Sequence, residues 1–258
     1  MTRQIDLNCD LGESFGAWRM GADAAVMPHI SSANIACGFH AGDPDTMRRT
    51  VELALRAKVA IGAHVSLPDL AGFGRREMRV TANEVHAMTL YQIGALAAFV
   101  QAAGARLCHV KPHGALYNMA ARDAVLADAI AQAASGFDPS LRLVGLAGSE
   151  LPRAGARIGL AVAHEAFADR RYRDDGSLTP RSEAGAVIDD IDASIAQALA
   201  IARGEPVTTR SGGSLELRAD TLCVHGDRAD AGEFARRLHH ALLGADIAVA
   251  SLQTERIA

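Results

Sequence analysis

Acidic, basic and imidazole side chains recur where the apolar runs of this chain end. Asp10 closes the alternating run from Ile5, His40 follows Ile30–Cys37, and His64 closes Val59–His64. Lys111 and His113 follow Arg106–Val110, Glu165 follows Leu160–His164, and His225 closes Thr221–His225. Carboxylates, imidazoles and an amine gathered in one place suit acid–base or metal-assisted hydrolysis of a small polar substrate. Asp10, His64, Lys111 and His113 are the candidate catalytic residues. An aspartate with two histidines from different strands also suits a divalent cation, so Asp10, His64 and His113 are candidate ligands, although no local spacing marks them. A lysine directly after an apolar run buries its stem; the alternative is a snorkelling surface lysine. The nucleophile-elbow, P-loop and zinc-helix motifs are absent from the sequence.

These residues need elements to carry them to one place. In Gln4–Cys9 the strand alternation puts Asp6, Asn8 and Asp10 on one face and Ile5, Leu7 and Cys9 on the other. Further strands are expected at Ile30–Cys37, Val59–His64, Arg106–Val110, Leu141–Leu146, Leu160–His164 and Thr221–His225, with a short one at Ile247–Leu252. Helices are expected between them. Asp43-Pro44 opens one to Lys58, and a capping box of Thr81 with Glu84 opens one to about Ala103. Others cover Arg122 to about Ala134, Val187–Arg203 and Asp230–Leu243, with a short helix or turn over Gly148–Gly155. Residues 171–186 read as a long loop, and Gly212-Gly213 centres a small hairpin.

Strand–helix alternation implies parallel strands with right-handed crossovers. Seven such units in 258 residues suggest one domain over residues 1–258, a seven-stranded parallel β/α barrel with its reactive groups at the C-terminal mouth. A doubly wound open sheet is the alternative; it would use a switch point rather than every strand end. The 49% hydrophobic content supports a large core. A net charge of -4 and 4% aromatics give neither the basic face nor the stacking surface of a nucleic-acid binder. No unbroken apolar run reaches the roughly 18 residues of a membrane span, and no signal pattern precedes the first strand, so a cytoplasmic location is expected. The four cysteines form no CxxC pair and read as buried thiols, with Cys37 before Gly38 the alternative nucleophile.

Five stretches together resemble the LamB/YcsF family, the first of the component proteins of the prokaryotic ATP-dependent 5-oxoprolinase. They are DLNCDLGESFG over Asp6–Gly16, SANIACGFHAGDP over Ser32–Pro44, VKPHGALYN over Val110–Asn118, EAFADRRY over Glu165–Tyr172 and CVHGD over Cys223–Asp227. The resemblance runs from about Ile5 to Leu252. It departs at Gly62–Asp69, where Val65 and Leu67 replace the family's usual proline and aromatic; that loop is expected to lack the proline's stiffness.

The resemblance implies a seven-stranded barrel similar to glycoside hydrolase and deacetylase folds. It implies conversion of 5-oxo-L-proline, ATP and water to L-glutamate, ADP and phosphate, with partner 5-oxoprolinase subunits B and C. ATP is then the co-substrate, bound wholly or partly by the partners. Candidate substrate-binding residues are Asp6, Asn8, Glu13, Asn34, His40, Arg75, Glu165, Arg170 and His225. Two other readings stay open: a stand-alone metal-dependent deacetylase or amidohydrolase, and a non-catalytic component that only holds oxoproline.

Overall fold

The computed structural model describes residues 3–226 and 230–252; Asp227, the last residue of the fifth stretch, lies outside them. The elements run β1 (Arg3–Leu11), α1 (Asp23–Val26), β2 (Ser32–Ala36), α2 (Pro44–Ala57), β3 (Ala60–Val65), α3 (Ala82–Ala102), β4 (His109–Pro112), α4 (Gly114–Arg122) and α5 (Ala124–Phe137). There follow β5 (Arg142–Leu146), α6 (Glu150–Arg157), β6 (Ala161–Phe167), α7 (Ile191–Arg203), β7 (Val207–Thr208), β8 (Ser214–Leu215), β9 (Thr221–His225), α8 (Ala231–Gly244) and β10 (Ile247–Val249).

Seven parallel strands close on themselves in the order β1-β2-β3-β4-β5-β6-β9. Closure comes from β1, which pairs with β2 from Asn8↔Ser32 to Leu11↔Ile35 and with β9 from Asp6↔Thr221 to Asp10↔His225. The open-sheet alternative is thereby excluded. Below the β9 ladder, β10 extends β1 through Arg3↔Ile247 to Ile5↔Val249. β7 and β8 form the antiparallel hairpin at Gly212-Gly213.

Alternation in β1 survives intact, but neither face is wet. Leu7, Cys9 and Leu11 join the apolar core, while Asp6 and Asn8 on the opposite face are each only 2% exposed. The barrel interior is therefore polar, and its groups bond one another rather than water. This moves several expected strand ends. Asp10, His64, Lys111 and Glu165 lie inside strands, not after them, as β1, β3, β4 and β6 run on to Leu11, Val65, Pro112 and Phe167. A polar residue reads as the end of an apolar run, but in a bonded polar interior it is one more inward position.

Helix caps follow sequence chemistry. The Asp43 side chain accepts from the N–H groups of Asp45 and Thr46, and Thr81 with Glu84 forms the full capping box. α3 is long and apolar enough to cross a bilayer by length and composition; here it lies on the barrel, with Val85, Ile93, Leu96 and Val100 buried. Its Gln92 also pins the departing loop, accepting from Ser66 N–H at 2.8 Å and donating to Ser66 C=O at 2.9 Å. Leu67 is fully buried. Side-chain bonding thus holds the loop without the proline.

One helix was hidden in the sequence. α4 begins at Gly114, whose φ of +55° marks a turn, yet Ala115, Leu116, Tyr117 and Ala120 then bury one face. The cysteines carry no disulfide. Burial pushes the Cys37 thiol up to about 12, which makes it a packing residue rather than a nucleophile.

Candidate active site

The barrel interior is a continuous hydrogen-bonded column. At its base Asp6 accepts from Ser31 at 2.7 Å, Ser32 at 2.6 Å and Thr221; burial raises its carboxyl pKa. One layer up, Asn8 donates to Thr221 at 2.7 Å and Glu165 Oε1 at 3.0 Å and accepts from Asn34 at 2.7 Å. His109 donates from Nε2 to Asn34 Oδ1 at 2.7 Å. Gly62 makes room for that ring, since a Cβ there would lie 2.0 Å from His109 Nε2. Burial, with Lys111 nearby, pushes His109 down to about 3, so the ring is neutral.

Lys111 ties this column to the mouth. Its Nζ lies 2.9 Å from Asp10 Oδ1, 2.8 Å from Glu165 Oε1, 3.2 Å from Asn8 Oδ1 and 3.2 Å from Cys223 Sγ. Burial disfavours the ammonium, but Asp10, Cys223 and Glu165 outweigh it and raise its pKa well above the usual lysine value. Three N–H donors already face four acceptors. Burial likewise opposes the Asp10 carboxylate, yet His64 and Lys111 hold its pKa well below the carboxylate range.

Above Asp10 stand the histidines. Asp10 Oδ2 is 3.2 Å from His64 Nε2, which is 3.0 Å from His113 Nδ1. The far nitrogen of each ring meets a carbonyl: His64 Nδ1 at 2.9 Å from Lys111 O, and His113 Nε2 at 2.9 Å from Phe73 O. Carbonyls only accept, so those nitrogens carry the protons. In neutral rings two lone pairs would then face each other beside a carboxylate. Such a cluster calls for a positive species between them, a proton on His64 or a cation. Glu13 Oε1 adds a fourth donor 3.6 Å from His113 Nδ1 and 3.4 Å from His40 Nε2.

The donor set fits a metal ion. Separations of 3.0, 3.2 and 3.6 Å lie near the roughly 3.3 Å between donors sharing a tetrahedral ion with bonds of about 2.0 Å. The outer carbonyls fix the tautomers that ligand histidines need. His64 and His113 meet at 83° and can share an ion. His40 stacks parallel on His113, 3.9 Å between centroids, so the in-plane lone pairs of these two rings do not converge. Burial, with His113 and His64 close by, lowers the His40 pKa well below its usual value.

A cavity of about 870 Å³ opens over this floor. Asp10, Glu13, His64, Arg75, Lys111, His113, Arg170 and His225 reach its surface. Asp6, Asn8, Asn34, His40 and Glu165 do not line it, which corrects their expected contact with substrate: they bond one another or pack beneath. Glu165 pairs with Lys111, while Arg170 donates to the carbonyls of Thr179 at 2.6 Å and Ala186 at 3.4 Å. Arg75 lies over the Phe73 ring, 4.9 Å from its centroid.

Sequence reasoning missed Tyr117, Asp169 and the Phe73 carbonyl. Tyr117 lines the cavity from the hidden helix, and burial, with Glu165 beside it, raises its pKa well above the usual phenol value. Its signal was the apolar spacing after Gly114. Asp169 holds His225, and adjacency to Arg170 masked it.

A closed parallel barrel with acid–base groups converging under a mouth cavity defines a β/α-barrel enzyme. The LamB/YcsF family model matches residues 5–256, and the chain belongs to the LamB/YcsF family. It is 57% identical over 252 residues to a Methylococcus capsulatus protein named as the first, or A, component of 5-oxoprolinase, covering 98% of this chain and 97% of that one. A Thermus thermophilus structure described as a lactam utilization protein superposes with a TM-score of 0.91 at 47% identity, covering 96% and 100% of the two chains. A family 4 carbohydrate esterase from Streptomyces lividans shares the fold, with a TM-score of 0.50 at 11% identity over 97% and 93%.

Proposed function

We propose that this chain is the A component of an ATP-dependent 5-oxoprolinase, which opens 5-oxo-L-proline to L-glutamate in the cytoplasm with subunits B and C. The observation that carries the reading is the Asp10–His64–His113 line under the mouth cavity in a chain of this family. The chemistry explains the ATP. A five-membered lactam is resonance-stabilised and its amine leaves poorly; phosphorylating the amide oxygen gives an imidate that water can attack. The sequence has no P-loop, so the phosphoryl step is assigned wholly or partly to the partners. Glutamate formation from 5-oxoproline and ATP is expected from the three components together and not from this chain alone. Equal turnover by the isolated chain would point to the stand-alone amidohydrolase, and none from the assembly would overturn the reading.

Asp10, His64, His113 and Glu13 would hold a divalent cation, which when bound polarises an oxygen at the cavity floor. Lys111 keeps Asp10 ionised, and the carbonyls of Lys111 and Phe73 fix both ring orientations. Elemental analysis of the purified chain after incubation with zinc and desalting should find about one ion per chain, lost in His64→Ala. Wild-type protein that retains none would assign the positive species to a proton on His64.

A further inference from the structure

We infer that His225, oriented by Asp169, is the proton carrier of the water step; this rests on the oxoprolinase reading. His225 ends β9 and lines the cavity. Its Nδ1 lies 2.8 and 3.0 Å from the two oxygens of Asp169, which is 1% exposed. Carboxylate oxygens accept, so Nδ1 carries the proton and the neutral ring keeps its lone pair on Nε2. The Phe167 ring stacks on the imidazole at 5.8 Å and 16°, fixing its plane. Asp169 is itself held, since its carbonyl accepts from Ile188 N–H at 2.8 Å.

The other floor groups are committed. Asp10 Oδ1 faces Lys111 and Asn34, and Oδ2 faces His64. The lone pairs of His64 and His113 meet one another across 3.0 Å. Lys111 is a cation with its donors engaged. That centre is electrophilic and offers no base. Among the described residues His225 Nε2 has no hydrogen-bond partner, which leaves its lone pair to the cavity.

The step balances. The oxygen of water bonds to the imidate carbon, the C=N π pair moves to the ring nitrogen, and Nε2 passes the proton that water loses to that nitrogen. When the ring opens, the C–N pair stays on nitrogen and the new hydroxyl oxygen forms C=O. The hydroxyl proton travels through Nε2 to the amine. Asp169 is a positioning residue, because it sets which nitrogen faces the substrate.

The test uses the assembled three-component enzyme with 5-oxo-L-proline and ATP. His225→Gln is expected to lower kcat by on the order of 10²-fold or more with KM little changed. Asp169→Asn keeps the shape but presents an N–H to Nδ1, which turns the lone pair away from the cavity; it should lower kcat with a normal melting temperature. In His225→Gly, added imidazole should restore part of the lost turnover. Normal kcat in His225→Gln, or loss only through a raised KM with no imidazole rescue, overturns the role. Wild-type assembly without oxoproline turnover overturns the oxoprolinase reading instead, so the two failures are distinct.

Discussion

Lys111→Met is expected to destabilise the folded chain by about 3–5 kcal/mol and to remove most oxoproline turnover. Methionine preserves the stem but leaves Asp10 and Glu165, 9% and 0% exposed, without their shared cation. An uncompensated buried carboxylate loses far more than the net worth of the pair that it left. Turnover falls because Asp10 no longer stays ionised beside His64. The ammonium has its three protons engaged within the protein, so it acts through Asp10 and not by direct contact with the lactam.

The pH dependence follows from the same groups. The depressed Asp10 pKa stabilises the fold above the ordinary carboxylate range, and that contribution is lost as pH falls through the folded value. The raised Lys111 pKa stabilises it below the ordinary lysine range, and that is lost as pH rises through the folded value. In Lys111→Met the burial of Asp10 is no longer offset by the ammonium, so protonation relieves the variant. Urea unfolding should therefore show a smaller deficit against wild type at about pH 5 than at about pH 8. A deficit below about 1 kcal/mol at both would show a solvated lysine.

The fold was legible because its signals are local and periodic. Alternation in β1, the Asp43 and Thr81 caps and the Gly212-Gly213 turn each follow from near neighbours in the chain. Strand ends at Asp10, Lys111 and Glu165 were misplaced for one physical cause, a polar barrel interior. His64 and His113 could be singled out by type and position after apolar runs, but the carbonyls that set their tautomers belong to Lys111 and to Phe73, 40 residues from His113. Asn8, Asn34 and Asp6 looked like substrate contacts because a polar face in a strand resembles a binding face. Only closure of the barrel shows that those amides and carboxylates satisfy each other. The Asp169–His225 pair spans 56 residues and carries no sequence spacing to reveal it.

The central claim is that ring opening takes place at the floor of this chain's cavity and not in a partner. Asp10→Asn tests it directly, because the amide keeps the size and the Oδ1 acceptor for Lys111 while removing the charge beside His64. The variant is assembled with subunits B and C, and assembly and glutamate formation from 5-oxo-L-proline and ATP are measured together. The account predicts a normal complex whose glutamate formation falls by about 10²–10³-fold, the scale of losing one electrostatic stabiliser. A fully assembled Asp10→Asn complex that makes glutamate at the wild-type rate would contradict it.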